Sequence, residues 1–410
     1  MTETVVVVFV LVYLGMILGG LPFLQLDRTG VALLGAIVLV ASGDVSLEEA
    51  GKATHMPTLL LLFAFMVISA QLRLGGFYAW VTLRLAMRPL SPPRFLAALI
   101  AVVATLSAVF SNDVICLAVA PVLIEACRRR GLDPVPFLLA LACAANIGSA
   151  LTLIGNPQNM LIGESLRLSF GRYALEAITP VALGLVVTWL LIVWRVKGQW
   201  HAPSTQRTID AETRRDPAFD RWQTCKGLAV ATVLIVVFLV APWPRELAAL
   251  AGAGVLLLSR RLHSRTTLGL VDWELLVLFI GLFIVNYALQ KTGLTAEAVE
   301  LLAARGVHLD NPAPLFVLTL LLSNVVSNVP AVMLLLPLAS QPMAGTLLAL
   351  VSTLAGNLLI VGSIANIIVV EAARRRGIVI DWRRHARVGI PVTVATLLLS
   401  AAYLSARMSA

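Results

Sequence analysis

Charge is what this chain lacks most. Only 13% of its 410 residues are Asp, Glu, Lys or Arg against 59% hydrophobic, and mean hydropathy is +0.92. A water-soluble domain carries about a quarter of its residues as charges, so this composition excludes folding in water and makes lipid the solvent. Cysteine is also scarce. Cys116, Cys127, Cys143 and Cys225 stand in or beside apolar stretches without CxxC spacing, which excludes a disulfide framework and a zinc site. The five histidines, His55, His201, His263, His308 and His385, are read as loop residues and form no HxxxH pair. No Gly-x-x-x-x-Gly-Lys-Ser/Thr loop is present either, so ATP-driven pumping by this chain has no support. No catalytic residue, metal site or organic cofactor is expected, and the chain does not read as an enzyme.

What the sequence does contain is apolar runs, for example residues 5–24, 174–196, 227–240 and 275–289. These are long enough, or nearly so, to cross about 30 Å of hydrocarbon at roughly 20 residues each. They are continuously apolar rather than alternating, which selects helices over barrel strands. The first run follows Met1-Thr2-Glu3-Thr4, with no basic residue before it and no small-residue cleavage pattern after it. It reads as a retained helix rather than a signal peptide.

The net charge of +9 does not point to nucleic acid, because the basic residues sit in short loops instead of on one face. Suppose both termini lie outside the inner membrane, and each half holds five spans and a hairpin that enters and leaves on one side. Most of the 31 basic residues then fall inside, at Arg28, 73–94, 128–130, 195–226, 260–265 and 374–387, as the positive-inside rule requires.

One long polar stretch, residues 197–225, divides the chain into halves of similar length and reads as a cytoplasmic linker. The halves match at a slowly drifting offset. Gln71 pairs with Gln290, Ser111-Asn112 with Ser327-Asn328, and Pro121 with Pro337. Asn146 pairs with Asn357, and Gly155 and Asn159 pair with Gly362 and Asn366. With an odd number of crossings per half, the two repeats must run in opposite directions through the bilayer. The expected fold is an all-α polytopic membrane protein of two inverted repeats, each with five transmembrane helices, one of them broken, and a re-entrant hairpin. The first repeat covers residues 1–196: scaffold 1–72, arm 74–89, hairpin 95–127, broken helix 134–163 and span 173–196. The second covers 226–410: scaffold 226–290, arm 294–307, hairpin 312–340, broken helix 344–372 and span 388–407. Each arm is amphipathic and follows a glycine, Gly75 or Gly293, and reads as a helix lying in the interface. It either joins a fixed scaffold to a moving part or is a surface connector.

The chemistry lies at the breaks. In lipid an unpaired backbone group costs several kcal/mol, so an interrupted membrane helix survives only where protein or a water-filled cavity covers it. Asn156-Pro157 is a helix start, a capping side chain followed by a residue that needs no N–H. Gly148 and Gly155 free the backbone before it. The partner segment from Gly356 to Asn366 has Ser363 as its cap but no proline, so its break is expected to be shorter. Ser111-Asn112-Asp113 and Ser327-Asn328-Val329-Pro330 interrupt two further runs and read as hairpin turns rich in capping residues. Four half-helix N-termini could then converge and hold an anion without any basic side chain, with carbonyls at the breaks suited to sodium. The bland alternative is that Ser, Asn and Gly only let helices pack closely.

Asp113 is the one carboxylate placed well inside the membrane, where an acid is by default a functional candidate. It could couple transport to protons, cap its helix, or ligate sodium. Cys116 and Cys143 lie close enough to raise arsenite as a solute, though buried filler is the simpler reading.

The hairpin Ser-Asn pairs, the run Asn146-Ile-Gly148-Ser149-Ala-Leu-Thr152-Leu-Ile-Gly155-Asn156-Pro157-Gln158-Asn159 and the chain-wide repeat resemble the ion transporter superfamily. That group includes divalent-anion/sodium symporters, arsenite permeases and NhaD-type sodium/proton antiporters. The Gly155-to-Asn159 stretch is most similar to the group's bacterial anion-permease branch. Where the symporters carry Ser-Asn-Thr, this chain has Asp113 in one hairpin and Val329 in the other. The resemblance implies a homodimeric scaffold along which hairpins and broken helices move as an elevator. The expected function is secondary transport of a small anion, a carboxylate or inorganic oxyanion, coupled to H+ or Na+. Sodium/proton antiport and arsenite efflux are the alternatives, and a channel or receptor component is the remaining class. The substrate set is Ser111, Asn112, Asn156, Pro157, Ser327, Asn328, Pro330 and Ser363. The coupling-ion set is Asp113, Asn146, Gly148, Thr152, Gly155, Asn159, Asn357, Gly362 and Asn366. The expected partners are the small solute, the bilayer and a second copy of the chain. A coupling sodium ion is the only bound ion expected.

Overall fold

Apolar runs in this sequence begin next to Asp, Asn or Ser, and these side chains start the helices by accepting from the free N–H groups of the first turn. Asp27 accepts from the Gly30 amide at 2.8 Å, Asp133 from Val135 at 3.0 Å, Asp220 from Trp222 at 2.9 Å and Asp272 from Leu275 at 2.9 Å. The structure is a computed structural model and describes residues 2–21, 24–201, 219–339, 341 and 343–409. Its first half holds α1 (Thr2–Leu18), a two-stranded antiparallel ribbon β1 (Gly20–Leu21) and β2 (Leu26–Asp27), α2 (Arg28–Ala41), α3 (Leu47–Ala53) and α4 (Met56–Leu74). These are followed by α5 (Phe77–Ala86), α6 (Pro92–Val109), α7 (Asn112–Arg129), α8 (Pro134–Ser149), α9 (Pro157–Ser165) and α10 (Phe170–Val196).

The second half holds α11 (Arg221–Val240), α12 (Arg245–Leu257), α13 (Ser264–Leu268), α14 (Trp273–Lys291) and α15 (Leu294–Ala304). Then come α16 (Pro312–Val326), α17 (Asn328–Leu335), α18 (Ala344–Ala355), α19 (Ile364–Arg374) and α20 (Trp382–Ser409). Helix for helix, α11–α20 follow the order of α1–α10: two helices, a short one, a long one, an arm, a hairpin, a broken helix and a closing span. Contacts are exchanged in the same sense. The fourth helix of each half lies against the second of the other, α4 on α12 and α14 on α2, while α10 lies against α20.

The chain is therefore an all-helical, multi-pass membrane protein. Among the described residues six helices are long and apolar enough to cross a membrane: α4, α6, α10, α11, α14 and α20. Outward-facing apolar side chains such as Val7, Leu183, Val233 and Leu398 form a surface that only lipid can solvate favourably. The scaffold helices α2 and α12 have 14 and 13 residues, about 20 Å at 1.5 Å per residue. At that length they are shorter than the hydrocarbon thickness of about 30 Å.

Three boundaries differ from expectation. The linker ends sooner, since Asp220 starts α11 at Arg221 and places residues 221–225 in a helix. Its beginning is folded back: Trp200 is buried, its carbonyl accepts from the Asp133 amide at 2.8 Å, and His201 bridges to Leu132. The middle of the linker, 202–218, lies outside the described residues. The turn before the first arm is made by Gly76 (φ +71°) and not Gly75, whereas Gly293 (φ +82°) holds the expected place in the second. The arms also differ in packing. α5 buries Phe77, Tyr78, Thr82 and Leu85, while α15 has no buried residue.

The α6–α8 crossing is set by Gly148, where a Cβ would lie 2.4 Å from the Ala104 Cα. Gly148→Ala is expected to cost about 2 kcal/mol by overpacking and to lower the melting temperature in detergent. Gly254→Ala on α12, which meets nothing within 4 Å, is the control and should leave it unchanged.

Candidate functional site

A broken membrane helix must have its freed backbone satisfied, and the first break, between α8 and α9, is held by its own side chains together with Thr353 on α18 and Tyr173 on α10. The Asn156 Oδ1 accepts from the Asn159 amide at 2.9 Å, with Pro157 in the first helical position. Its Nδ2 donates to Ser149 Oγ at 3.0 Å and to Thr353 Oγ1, on α18, at 3.1 Å. Thr152 Oγ1 donates to the Ala108 carbonyl and accepts from the Ile154 amide. Asn159 Nδ2 donates to the Thr152 carbonyl at 3.1 Å and to Tyr173 Oη at 3.2 Å, and that hydroxyl donates on to the Ala150 carbonyl at 2.7 Å. At Gly155 a Cβ would sit 2.2 Å from the Ser149 carbonyl oxygen, so the strand of backbone can pass only as glycine.

The second break covers residues 356–363 against 150–156 in the first, so it is not the shorter one. Lacking an Asn-Pro start, the chain inserts a 3-10 turn at Ile360–Gly362, and Asn366 reaches back to hold it. Its Nδ2 donates to the Gly356 carbonyl at 2.8 Å and to the Leu359 carbonyl at 3.0 Å.

Those two carbonyls decide the polarity of everything that follows. Because they can only accept, Asn366 must turn its Oδ1 the other way, where Asn146 Nδ2 donates to it at 3.2 Å. Asn146 Nδ2 also donates to Asn357 Oδ1 at 2.9 Å. The Oδ1 of Asn146 is then the acceptor for Asn112 Nδ2 at 3.0 Å and for Ser363 Oγ at 2.9 Å. The outer members of the chain are left with one unused end each. Asn112 Oδ1 is a buried acceptor and Asn357 Nδ2 a buried donor, neither with a partner among the described residues. Buried groups of this kind carry a desolvation cost of about 1–3 kcal/mol each unless something supplies the missing bond.

The hairpin tips bring two more such atoms. Asn328 and Asn324 each have an Oδ1 without a partner. A Cβ on Gly356 would meet Asn328 Nδ2 at 3.2 Å and the Ser363 Cβ at 3.2 Å, and one on Gly362 would meet Asn324 Oδ1 at 3.2 Å. The tip of α16–α17 therefore abuts the second break, while the Asn112 amide donates to the Gly155 carbonyl at 3.3 Å and ties the tip of α6–α7 to the first. The tips are not the side-chain-capped turns the sequence suggested. Ser111, Ser327 and Ser363 occupy cap positions, but none makes a capping hydrogen bond. Ser327 is held at φ +77°, a left-handed conformation costing a non-glycine residue about 1–3 kcal/mol. Asp113, in the first turn of α7, is half-buried and makes no hydrogen bond or ion pair among the described residues. It does not cap its helix.

The expected residues thus fall into two groups. Asn112, Asn146, Asn357, Asn366 and Ser363 form one bonded cluster, with Ser111, Asp113, Ser327, Asn328, Pro330 and Gly362 along its tips and edge. Asn156, Pro157, Thr152, Asn159 and Gly155 build the first break, and the polar side chains among them are engaged in it and with α6, α10 and α18. Gly148, expected to free the backbone before the break, is instead helical in α8 and admits the close approach of α6. Sequence reasoning missed Ser149, Thr353, Tyr173, Asn324 and His385. Asn324 carried a signal, a second Ser-Asn pair four residues before Ser327-Asn328. His385, read as a loop residue, is buried in the first turn of α20, and its Nε2 donates to the Asn357 carbonyl at 3.0 Å.

A family model described as citrate transporter (CitMHS) matches residues 9–355. The chain belongs to that family. It is 31% identical to the 46 kDa membrane protein of Mycobacterium leprae (strain TN), covering 93% of this chain and 94% of that one. It is 30% identical to the silicon efflux transporter LSI3 of Oryza sativa subsp. japonica, covering 91% of each. Among solved structures it is similar to the Alcanivorax borkumensis YdaH transporter, with a TM-score of 0.58 over 100% of this chain and 98% of that one. At 15% identity that likeness concerns the fold alone. Family membership makes the chain a secondary transporter.

The network separates packing from binding experimentally. Asn146→Leu removes the shared partner of four side chains and is expected to destabilise the protein by several kcal/mol. Asn112→Ala leaves Asn146 Oδ1 bonded to Ser363 and should cost about 1 kcal/mol or less, while solute uptake into proteoliposomes falls at least tenfold. Equal losses of stability and uptake in Asn112→Ala would mean that the cluster serves packing only.

Proposed function

We propose that this protein moves a small anion, a carboxylate or inorganic oxyanion, across the cytoplasmic membrane together with H+ or Na+. The observation that carries this reading is the set of buried amide atoms around the two breaks that have no partner among the described residues, beside half-helix N-termini and with no Lys or Arg in either break or hairpin turn. The amide hydrogens at the starts of α7, α17 and α19 and Asn357 Nδ2 suit the oxygens of an oxyanion. Asn112, Asn324 and Asn328 offer acceptors, which suit the hydroxyl of a protonated acid or a bare sodium ion. A solute arriving as anion plus cation satisfies both kinds. Asp113, free of internal partners, is the group proposed to take up and release the proton.

The two halves are proposed to be inverted repeats, a reading supported by their matched helix order and the exchanged contacts of α2, α4, α12 and α14. Movement is proposed to be of the elevator type, with α6–α9 and α16–α19 carrying the site past a scaffold of α1–α4 and α11–α14 that forms a homodimer. Cavities of about 820 and 240 Å3 lie along one seam between these groups. The only ion pair spanning it among the described residues is Arg245–Glu164 at 2.9 Å, both side chains nearly buried. It would have to part when α9 slides past α12. A second reading, export of an uncharged oxyacid, is favoured by the excess of acceptors over donors and by the likeness to a silicon efflux transporter.

Purified protein in liposomes, screened with carboxylates, phosphate, sulfate, arsenite and silicic acid at two pH values with and without sodium, is expected to transport one oxyacid class in a cation-dependent way. Asp113→Asn should abolish the pH dependence and leave folding intact. Unchanged pH dependence would end the coupling role of Asp113, and sodium-induced proton flux with no added anion would replace symport by antiport.

A further inference from the structure

We propose that the pocket where α8 and α20 begin and α10 ends is a binding site for the headgroup of an acidic phospholipid. The pocket encloses about 480 Å3 and is lined by Arg195, Arg384 and Arg387, with Asp133 as the only acid. The Asp133 carboxylate is occupied in capping α8, and Arg384 gives one N–H to the Val379 carbonyl at 2.8 Å. The guanidinium groups of Arg195 and Arg387 make no hydrogen bond or ion pair among the described residues. Three cations around one cavity, two without internal partners, call for an anion.

Two further features point to lipid as its source. The other wall is apolar, with Leu139, Ile192 and Val388 buried behind the arginines, as an acyl chain requires and a free inorganic ion does not. The pocket also lies at the depth of headgroups. It sits where the candidate spans α10 and α20 end and begin, and Trp194 and Trp382 stand beside it, each 67% exposed. Tryptophan collects at that level of a bilayer, and basic pockets between transmembrane helices there hold anionic headgroups. The start of α20 also carries His385, which holds the Asn357 carbonyl of the second break. A lipid bound here therefore rests against the element that supports the solute site.

The test is native mass spectrometry of the full-length protein offered phosphatidylglycerol or cardiolipin against phosphatidylcholine. Acidic lipid should be retained preferentially, and each arginine lost should weaken retention about fivefold. The variant R195Q/R384Q/R387Q should abolish the preference, whereas R260Q/R261Q/R265Q, with the same loss of charge elsewhere, should keep it. Gln199→Glu, an exposed position on the rim, should weaken acidic-lipid binding with all three arginines present. Equal retention of phosphatidylcholine, or an equal loss in the control variant, would overturn the site. Arginine-dependent stabilisation by inorganic phosphate alone, with no lipid preference, would reassign it to a free anion.

Discussion

Inside hydrocarbon there is no water to accept a stray N–H or donate to a stray carbonyl, and the rest of this structure depends on how the chain meets that constraint at its two helix breaks. Each break frees backbone groups near the middle of the molecule, and each must be repaired by side chains. Asparagine is the residue that can do so, since one side chain carries both a donor and an acceptor and no charge to desolvate. The first break repairs itself with Asn156, Asn159 and Thr152. The second relies on Asn366 and on the His385 ring from a neighbouring helix.

The amides form a chain of fixed polarity, and this links structure to transport. Two backbone carbonyls fix Asn366, Asn366 fixes Asn146, and Asn146 fixes Asn112 and Asn357. Polar atoms of known sign are thereby left facing outward at the hairpin tips. In the proposed reading such a site would bind through oriented dipoles and not through countercharge, which suits a solute that must be released on the far side. The two halves do not supply equal parts. Asn112 is bonded to Asn146, but the corresponding Asn328 is not bonded to Asn357, and Asp113 faces Val329 in the pairing of the halves. The site is symmetric in its backbone and asymmetric in its open atoms.

Membership of the citrate transporter family agrees with this plan without naming the solute. The relatives at about this level of identity include a silicon efflux transporter. The proposed lipid pocket at the foot of α10 and α20 would connect the bilayer to the helix that carries His385.

Much of this was legible in the sequence. Scarcity of charge required a membrane, continuous apolar runs required helices, and Asn, Gly and Pro inside those runs marked the breaks, because each departs from what lipid tolerates in a plain helix. Asn112, Asn146, Asn357 and Asn366 were found by the same sign. Which of the marked residues are spent and which remain open could not be read, since hydrogen-bond polarity propagates between residues as far apart as Asn146 and Asn366. Asn156 and Asn159, expected among the site residues, brace the first break through their hydrogen bonds, whereas His385, read as a loop residue, lies in α20 and braces Asn357. The sequence determined where the helices had to be interrupted, through local backbone chemistry. Only the tertiary structure decided which amide atoms are left without a partner among the described residues, because that follows from the directions of bonds made across the whole fold.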